Sequence, residues 1–362
     1  MPDLFFLIVM KILVIALSGI GDALMFTPAL SLLRKKQPNA QIDALVMYSG
    51  GKEIYKTNPN LNEVIQFNFL NEGFFKSLKF LLQLRKKYDA SINVYPSNRK
   101  EYNIISFLIG AKKRAGAFYL RKDKSNLGFL NNIRVPENDS VHNVKTNIKL
   151  CEALLGKRLD EEPPLEYPVP EEDEKLAKKL LNEWGINENE LVIGLHPGCA
   201  TLKNHIKRRW EPEKFAKLSK KLITNHSARI LIFGGPDEKE LKEKVRSLIN
   251  SDKVNVVNTE SLTKSTAIMK RCNLFITNDS SQMHIAASLG LKVVAIIGPT
   301  NQNYIHPWKT EHQIVWLNLD CSPCFFYSPK PLICYRDDVK FKCIKELTVD
   351  VVYSSVSKYL HN

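Results

Sequence analysis

Four short stretches of this chain place reactive side chains directly after apolar runs. The first is Ser18-Gly19-Ile20-Gly21-Asp22. Asp22 is either the first-turn acid of a helix or a carboxylate placed to act as a general base. The stretch fails the dinucleotide fingerprint, because Leu24 holds the third glycine position, and it lacks Gly-Lys-Ser/Thr. The second is His196-Pro197-Gly198-Cys199, followed by Lys203, His205, Lys207, Arg208, Arg209 and Trp210. Arginine grips phosphate bidentately and lysine as a point charge, so this loop suits a phosphate clamp. The third is Phe233-Gly234-Gly235-Pro236-Asp237-Glu238, in which Glu238 is able to accept hydrogen bonds from ribose hydroxyls. The fourth runs from Thr277 to His284. Ser280 and Ser281 fall at a helix start there, where hydroxyls and N–H groups cradle a diphosphate. Asp279 and His284 border them, and Gly298-Pro299-Thr300 follows the next strand. A fifth group stands apart: Cys321, Cys324, Cys334 and Cys343. Its content suits a structural zinc, but the second pair is too widely spaced for a zinc ribbon, which favours free or redox-variable cysteines.

The elements that must hold these residues alternate strand and helix twice. Apolar runs at Ile12–Leu17, Ala44–Met47, Val64–Phe67 and Ala90–Val94 read as strands, separated by helices such as Asp22–Lys36, Phe74–Lys87 and Val141–Leu155. The Pro-rich stretch from Gly156 to Glu172 reads as a linker. The pattern then restarts, with strands at Leu191–Leu195, Arg229–Phe233, Val254–Val257, Leu274–Thr277 and Val293–Ile297. Helices are expected over Glu213–Thr224, Glu238–Asn250, Lys264–Arg271 and Ser280–Leu289. Continuous apolar strands alternating with helices predict α/β architecture with parallel sheets covered on both faces. Two such Rossmann-like, doubly wound halves place a ligand cleft between them. No internal sequence repeat is visible.

The 362 residues carry 52 Lys and Arg against 38 Asp and Glu, a net charge of +14. That balance calls for an anionic partner. Between Lys76 and Lys124 there are 13 basic and three acidic residues. No zinc-finger spacing or RNP-like aromatic run accompanies them, so nucleic acid is not the expected partner. The apolar start is broken by Lys11 and is too short to span a bilayer. Residues 1–9 read as an extension, with the first strand opening after Met10. Seven cysteines without an export signal point to a reducing compartment.

In order along the chain, the motifs resemble those of the heptosyltransferases, glycosyltransferase family 9. They are Ile15 to Asp22 with Thr27-Pro28-Ala29-Leu30, Ile193 to Gly198, Lys207-Arg208-Arg209-Trp210, Gly234 to Glu238, Asn278 to Ala287, Gly298-Pro299-Thr300 and the Cys321-Ser-Pro-Cys324 tail. The resemblance implies a GT-B fold, with two Rossmann-like domains facing a central cleft. It implies an inverting, metal-independent transfer of sugar from a nucleotide-sugar, typically ADP-heptose, to the inner core of lipopolysaccharide, with no resident cofactor. An acceptor domain over 10–165, a donor domain over 166–345 and a C-terminal helix over 346–362 packing back on the first domain are expected.

Under that resemblance Asp22 matches the catalytic base. Lys207 or Arg208, with Ser280 and Ser281, would hold the donor diphosphate. Glu238, Asp279, His284, Gly198 and Thr300 would line the nucleotide and sugar. The family commonly has Gly at position 281 and often Pro at 282, where this chain has Ser281 and Gln282. Arg99, Lys112, Lys113 and Arg114 are expected to face an anionic lipid-linked glycan and the cytoplasmic face of the inner membrane, making the enzyme cytoplasmic and peripheral. The alternatives are a GT-B transferase with another donor or acceptor, or a nucleotide-sugar epimerase.

Overall fold

The structure is a computed structural model and describes residues 9–326 and 330–360. Of the expected extension, only Val9 lies within the described residues. The chain forms two units, Met1–Glu166 and Tyr167–Asn362. In the first, strands β1 (Lys11–Ala16), β2 (Gln41–Val46), β3 (Glu63–Gln66), β4 (Ala90–Asn93), β5 (Lys113–Phe118) and β6 (Ile133–Pro136) form a parallel sheet ordered β3-β2-β1-β4-β5-β6. Its helices are α1 (Ile20–Lys36), α2 (Ser49–Lys56), α3 (Phe74–Leu84), α4 (Lys100–Ile109) and α5 (Asn143–Leu155).

The second unit contains strands β7 (Val192–His196), β8 (Arg229–Ile232), β9 (Val254–Val256), β10 (Leu274–Asn278), β11 (Lys292–Ile296) and β12 (His312–Val315). They form a parallel sheet ordered β12-β11-β10-β7-β8-β9. Its helices are α6 (Glu171–Glu183), α7 (Pro212–His226), α8 (Lys239–Ile249), α9 (Leu262–Met269), α10 (Ser281–Ser288), α11 (Gln302–Ile305), α12 (Lys342–Lys345) and α13 (Val349–Ser357). Counted from its own first strand, this is the winding of the first unit again. The topology repeats although the sequence does not.

The strands form because their side chains suit burial on both faces. Ile12, Leu13 and Val14 are fully buried, as are Ile193, Leu195, Ile230, Leu231 and Ile232. Residues facing either way from such a strand lie under helices, which removes the usual polar alternation. The 158–170 segment is no free tether. Leu165 and Tyr167 are buried, and the Glu166 N–H donates to Thr27 Oγ1 at 2.8 Å. Helix α13 packs on α7, β11 and β12. Among the described residues no helix is long and apolar enough to cross a membrane.

Parallel strands all end on the same edge of their sheet, so the loops after them converge. In the first unit that edge carries Asp22 after β1 and Arg99 after β4. In the second it carries His196 at the end of β7, Glu238 after β8, Asp279 and Ser280 after β10, and Thr300 after β11. Strands β7 and β10 are neighbours where the winding reverses, the switch point at which such sheets bind ligands.

Candidate active site

In the first unit, Gly19 caps α1 and Asp22 lies in its first turn. The Asp22 Oδ2 accepts the Gly19 N–H at 3.1 Å. The loop is tied to the end of β4, since Ser18 Oγ donates to the Pro96 carbonyl at 2.9 Å and Tyr102 Oη to the Leu17 carbonyl at 2.8 Å. Tyr102 also joins two predicted residues. Burial, chiefly, raises its pKa to about 12, the nearby Arg99 charge opposes that, and Asp22 adds slightly to it. The Arg99 guanidinium lies 5.6 Å from the Tyr102 ring. Asp22 therefore caps α1 at the carboxyl edge of the sheet.

The four basic residues expected on the acceptor side do not form one patch. Lys113 opens β5 in register with Ala90, which pairs with Ile12, so it lies at the amino edge. Arg99 lies at the other end, about 20 Å of strand away. Arg114 is committed to structure, with Nε donating to the Leu130 carbonyl at 3.0 Å and Nη1 to the Ala111 carbonyl at 2.8 Å. The residues 112–114 are thus separated from the edge bearing Asp22, and Arg99 alone of the four accompanies it. A charge run in sequence cannot show which end of a strand it will occupy.

In the second unit the separate motifs come together. Arg208 Nη1 donates to Asp279 Oδ2 at 2.6 Å, and Thr300 Oγ1 donates to the same oxygen at 2.6 Å. Lys207 is exposed, so of the two candidates it is Arg208 that turns inward. Phe325 stands 5.9 Å beneath the Arg208 guanidinium. Beside this pair lies a second network. Glu238 accepts from Arg209 Nη2 at 3.0 Å and from the Gly235 N–H at 3.0 Å, and it contacts His196 Nε2 at 2.9 Å. The other ring nitrogen, His196 Nδ1, is 2.9 Å from Ser280 Oγ. Burial pushes the Glu238 carboxyl up. The His196 hydrogen bond and charge, the Gly235 N–H and Arg209 together outweigh it, and its pKa lies below the ordinary value.

Gly198 serves this network by having no side chain. A Cβ at Gly198 would fall 1.8 Å from Glu238 Oε1. Its carbonyl, with that of Pro197, accepts from the Asn278 amide, which in turn accepts the Trp210 N–H at 3.0 Å. These bonds fix the basic loop against the end of β10.

Ser280 caps α10 and Ser281 opens it, half-buried. The Nε–H groups of Arg208 and Arg209 are buried without a hydrogen-bond partner. An orphaned buried donor of this kind costs free energy unless something fills it. The site also holds the N-terminus of α10, where N–H groups favour an anion. His196 and Arg209 were visible in the basic loop, but their attachment to Glu238 was not, because it depends on β7 and β8 being neighbours.

His284 lies one turn into α10 and is buried. Burial lowers its pKa to about 4, against the opposing pull of Asp279 and with a smaller push from His306. The folded state therefore holds it neutral while the unfolded chain protonates near 6.5. Its contribution is complete above pH 6.5 and is lost as pH falls from there towards 4, at up to about 1.4 kcal/mol per pH unit. Thermal melts across that window should show a slope that His284→Gln flattens. An unchanged slope would remove His284 as its source.

The four tail cysteines lie close enough for their charges to interact. Burial first, then the thiols of Cys324, Cys334 and Cys321, raise the Cys343 pKa to about 11. All four are free. Among the described residues no group of three or more His, Cys, Asp or Glu is arranged to hold a metal ion.

Comparison with known proteins places this architecture. The model of glycosyltransferase family 9 (heptosyltransferase) matches residues 77–331. Lipooligosaccharide heptosyltransferase 2 of Campylobacter jejuni is 28% identical over 98% of this chain and 99% of its own length. Lipopolysaccharide heptosyltransferase 2 of Escherichia coli is 25% identical over 85% and 88%. A solved family 9 glycosyl transferase from Veillonella parvula matches with a TM-score of 0.74 at 22% identity, covering 97% of each chain. The solved ADP-heptose lipopolysaccharide heptosyltransferase II of E. coli matches at 0.73 and 20%, covering 97% of this chain and 98% of that one. These likenesses identify the pair of doubly wound sheets as the GT-B fold. With most of its length matched to the family model, the chain belongs to glycosyltransferase family 9 and is a glycosyltransferase.

Proposed function

We propose that this enzyme moves a heptose from ADP-heptose to the inner core of lipopolysaccharide, inverting the anomeric centre without a metal ion. The observation that carries the donor half is the anion cradle: two arginines with orphaned buried Nε–H groups, and the N-terminus of α10. The relatives' names supply the sugar and the acceptor, since those matched are lipo(oligo)saccharide heptosyltransferases.

In this mechanism Asp22 takes the proton from the acceptor hydroxyl as it attacks C1 of the sugar. The diphosphate leaves from the opposite face and gathers negative charge. Arg208, the Ser280 and Ser281 hydroxyls and the α10 N–H groups are fixed beforehand to receive it. Preorganised donors of this kind stabilise a transition state without reorganising, which is how the reaction proceeds without a divalent cation. Asp279 and Thr300 orient Arg208. Glu238, with both oxygens already engaged, keeps room for at most one bond to the ribose.

A thermal-shift panel of ADP-, GDP- and UDP-linked sugars tests the donor. A ligand at 100-fold its Kd stabilises by about 2.7 kcal/mol. ADP-heptose should give the largest rise, transfer should continue in a chelator, and the product should have the inverted anomer. A larger shift with a UDP-sugar would replace the donor, and loss of activity in the chelator would remove metal independence.

A further inference from the structure

Helix α3 has an apolar inner face and an outer face that mixes apolar residues with lysine. Its inner face is conventional, with Leu81 and Leu84 buried in the core beside Tyr102, Ile105 and Ile109. Its outer face carries Phe75, Lys79 and Leu82, spaced to lie in one stripe. Phe75 is 84% exposed and Phe74, at the helix start, 73%. Leu70, in the turn before the helix, and Leu82 are exposed too. The Phe74 and Phe75 rings meet edge to face at 5.6 Å, so they make one apolar knuckle. A soluble helix with a filled inner face gains nothing from this pattern.

The charge around the knuckle says what covers it. Lys76 and Lys79 are exposed on the same helix. The nearest acid in sequence, Glu72, is 3.4 Å from Lys76. Exposed phenyl rings among lysines match an anionic bilayer surface, where rings enter the acyl boundary and lysine stems bury while their ammonium groups stay with the phosphates. The position is also apt. The turn before α3 leaves the carboxyl end of β3, the edge of the sheet that bears Asp22.

We propose that the start of α3 is a membrane anchor: Leu70, Phe74 and Phe75 insert into an anionic leaflet and Lys76 and Lys79 bind its lipid phosphates. It rests on the reading above only in that a lipid-linked acceptor gives the anchor its use.

The test is flotation of the full chain with vesicles of phosphatidylglycerol and phosphatidylethanolamine, and with neutral phosphatidylcholine vesicles, at about physiological salt. The wild type should float with the anionic vesicles and hardly with the neutral ones. The double variant F74S/F75S should lose affinity by about tenfold per ring, with its melting temperature unchanged because both rings are exposed. K76E/K79E should lose the preference for anionic lipid. Transfer to a vesicle-borne acceptor should fall in F74S/F75S, while transfer to a water-soluble core fragment should not. Unchanged flotation of F74S/F75S overturns the proposal. So does a switch from oligomer to monomer in that variant with flotation intact, which would make the knuckle a protein contact. Failure to transfer heptose from any donor would count against the proposed reaction alone, since flotation reads the anchor independently.

Discussion

Replacing Asp22 with alanine is expected to lower turnover by about 10²–10⁴-fold, the range for losing a general base, while donor affinity stays at the wild-type value. The proposed diphosphate site uses residues of the second unit, and Asp22 belongs to the first. Alanine also removes the acceptor of the Gly19 N–H bond, a loss worth about 1 kcal/mol at a helix start. Asp22→Asn separates the two roles. It keeps an oxygen for the cap and removes the base, so it should melt like the wild type and turn over like the alanine variant. An asparagine enzyme with wild-type turnover, measured by release of nucleoside diphosphate, would leave Asp22 as a cap alone.

The second large effect is expected at Arg208. Its side chain and that of Asp279 are 11% and 9% exposed. Arg208→Met would strand a buried carboxylate, and removing one partner of such a pair costs about 3–5 kcal/mol. It would also remove charge from the leaving diphosphate, worth about 10²–10³-fold in turnover by analogy with a lost oxyanion donor. Stability and catalysis separate in the double variant Arg208→Met/Asp279→Asn. That protein should regain most of the melting temperature and none of the turnover. Lys207→Ala, at the exposed neighbour, should change neither. A loss at Lys207 equal to that at Arg208 would contradict the inward and outward placement of the two side chains.

Much of this was legible in the sequence for a physical reason. A strand buried on both faces is largely apolar, so β1, β7, β8, β10 and β11 announced themselves as runs, and the turn residues after them named the loops. Strand β5 did not. Its Ala115, Gly116 and Ala117 are small, two charges open it, and Gly116 is required because a Cβ there would meet Asn131 Nδ2 at 2.6 Å. The same limit governed the site. Asp22, Asp279 and Ser280 could be placed because each follows a recognisable strand. The bonds from Glu238 to His196 and Arg209 could not, because sequence order does not say which strands become neighbours. Nor could the sequence separate Lys112, Lys113 and Arg114 from Arg99, since direction along a strand decides between the two edges.

The chain passes from one unit to the other once, between Glu166 and Tyr167. Each sheet is therefore completed by one uninterrupted stretch of polypeptide. On the ribosome, all six strands of the first sheet emerge before the second begins, and the first unit is free to close while the rest is still being made. Parallel pairing folds slowly because every crossover must close a long loop. Confining that closure to one half at a time keeps unpaired strands of one sheet from meeting those of the other, a safeguard against misassembly in a protein whose two halves share a winding.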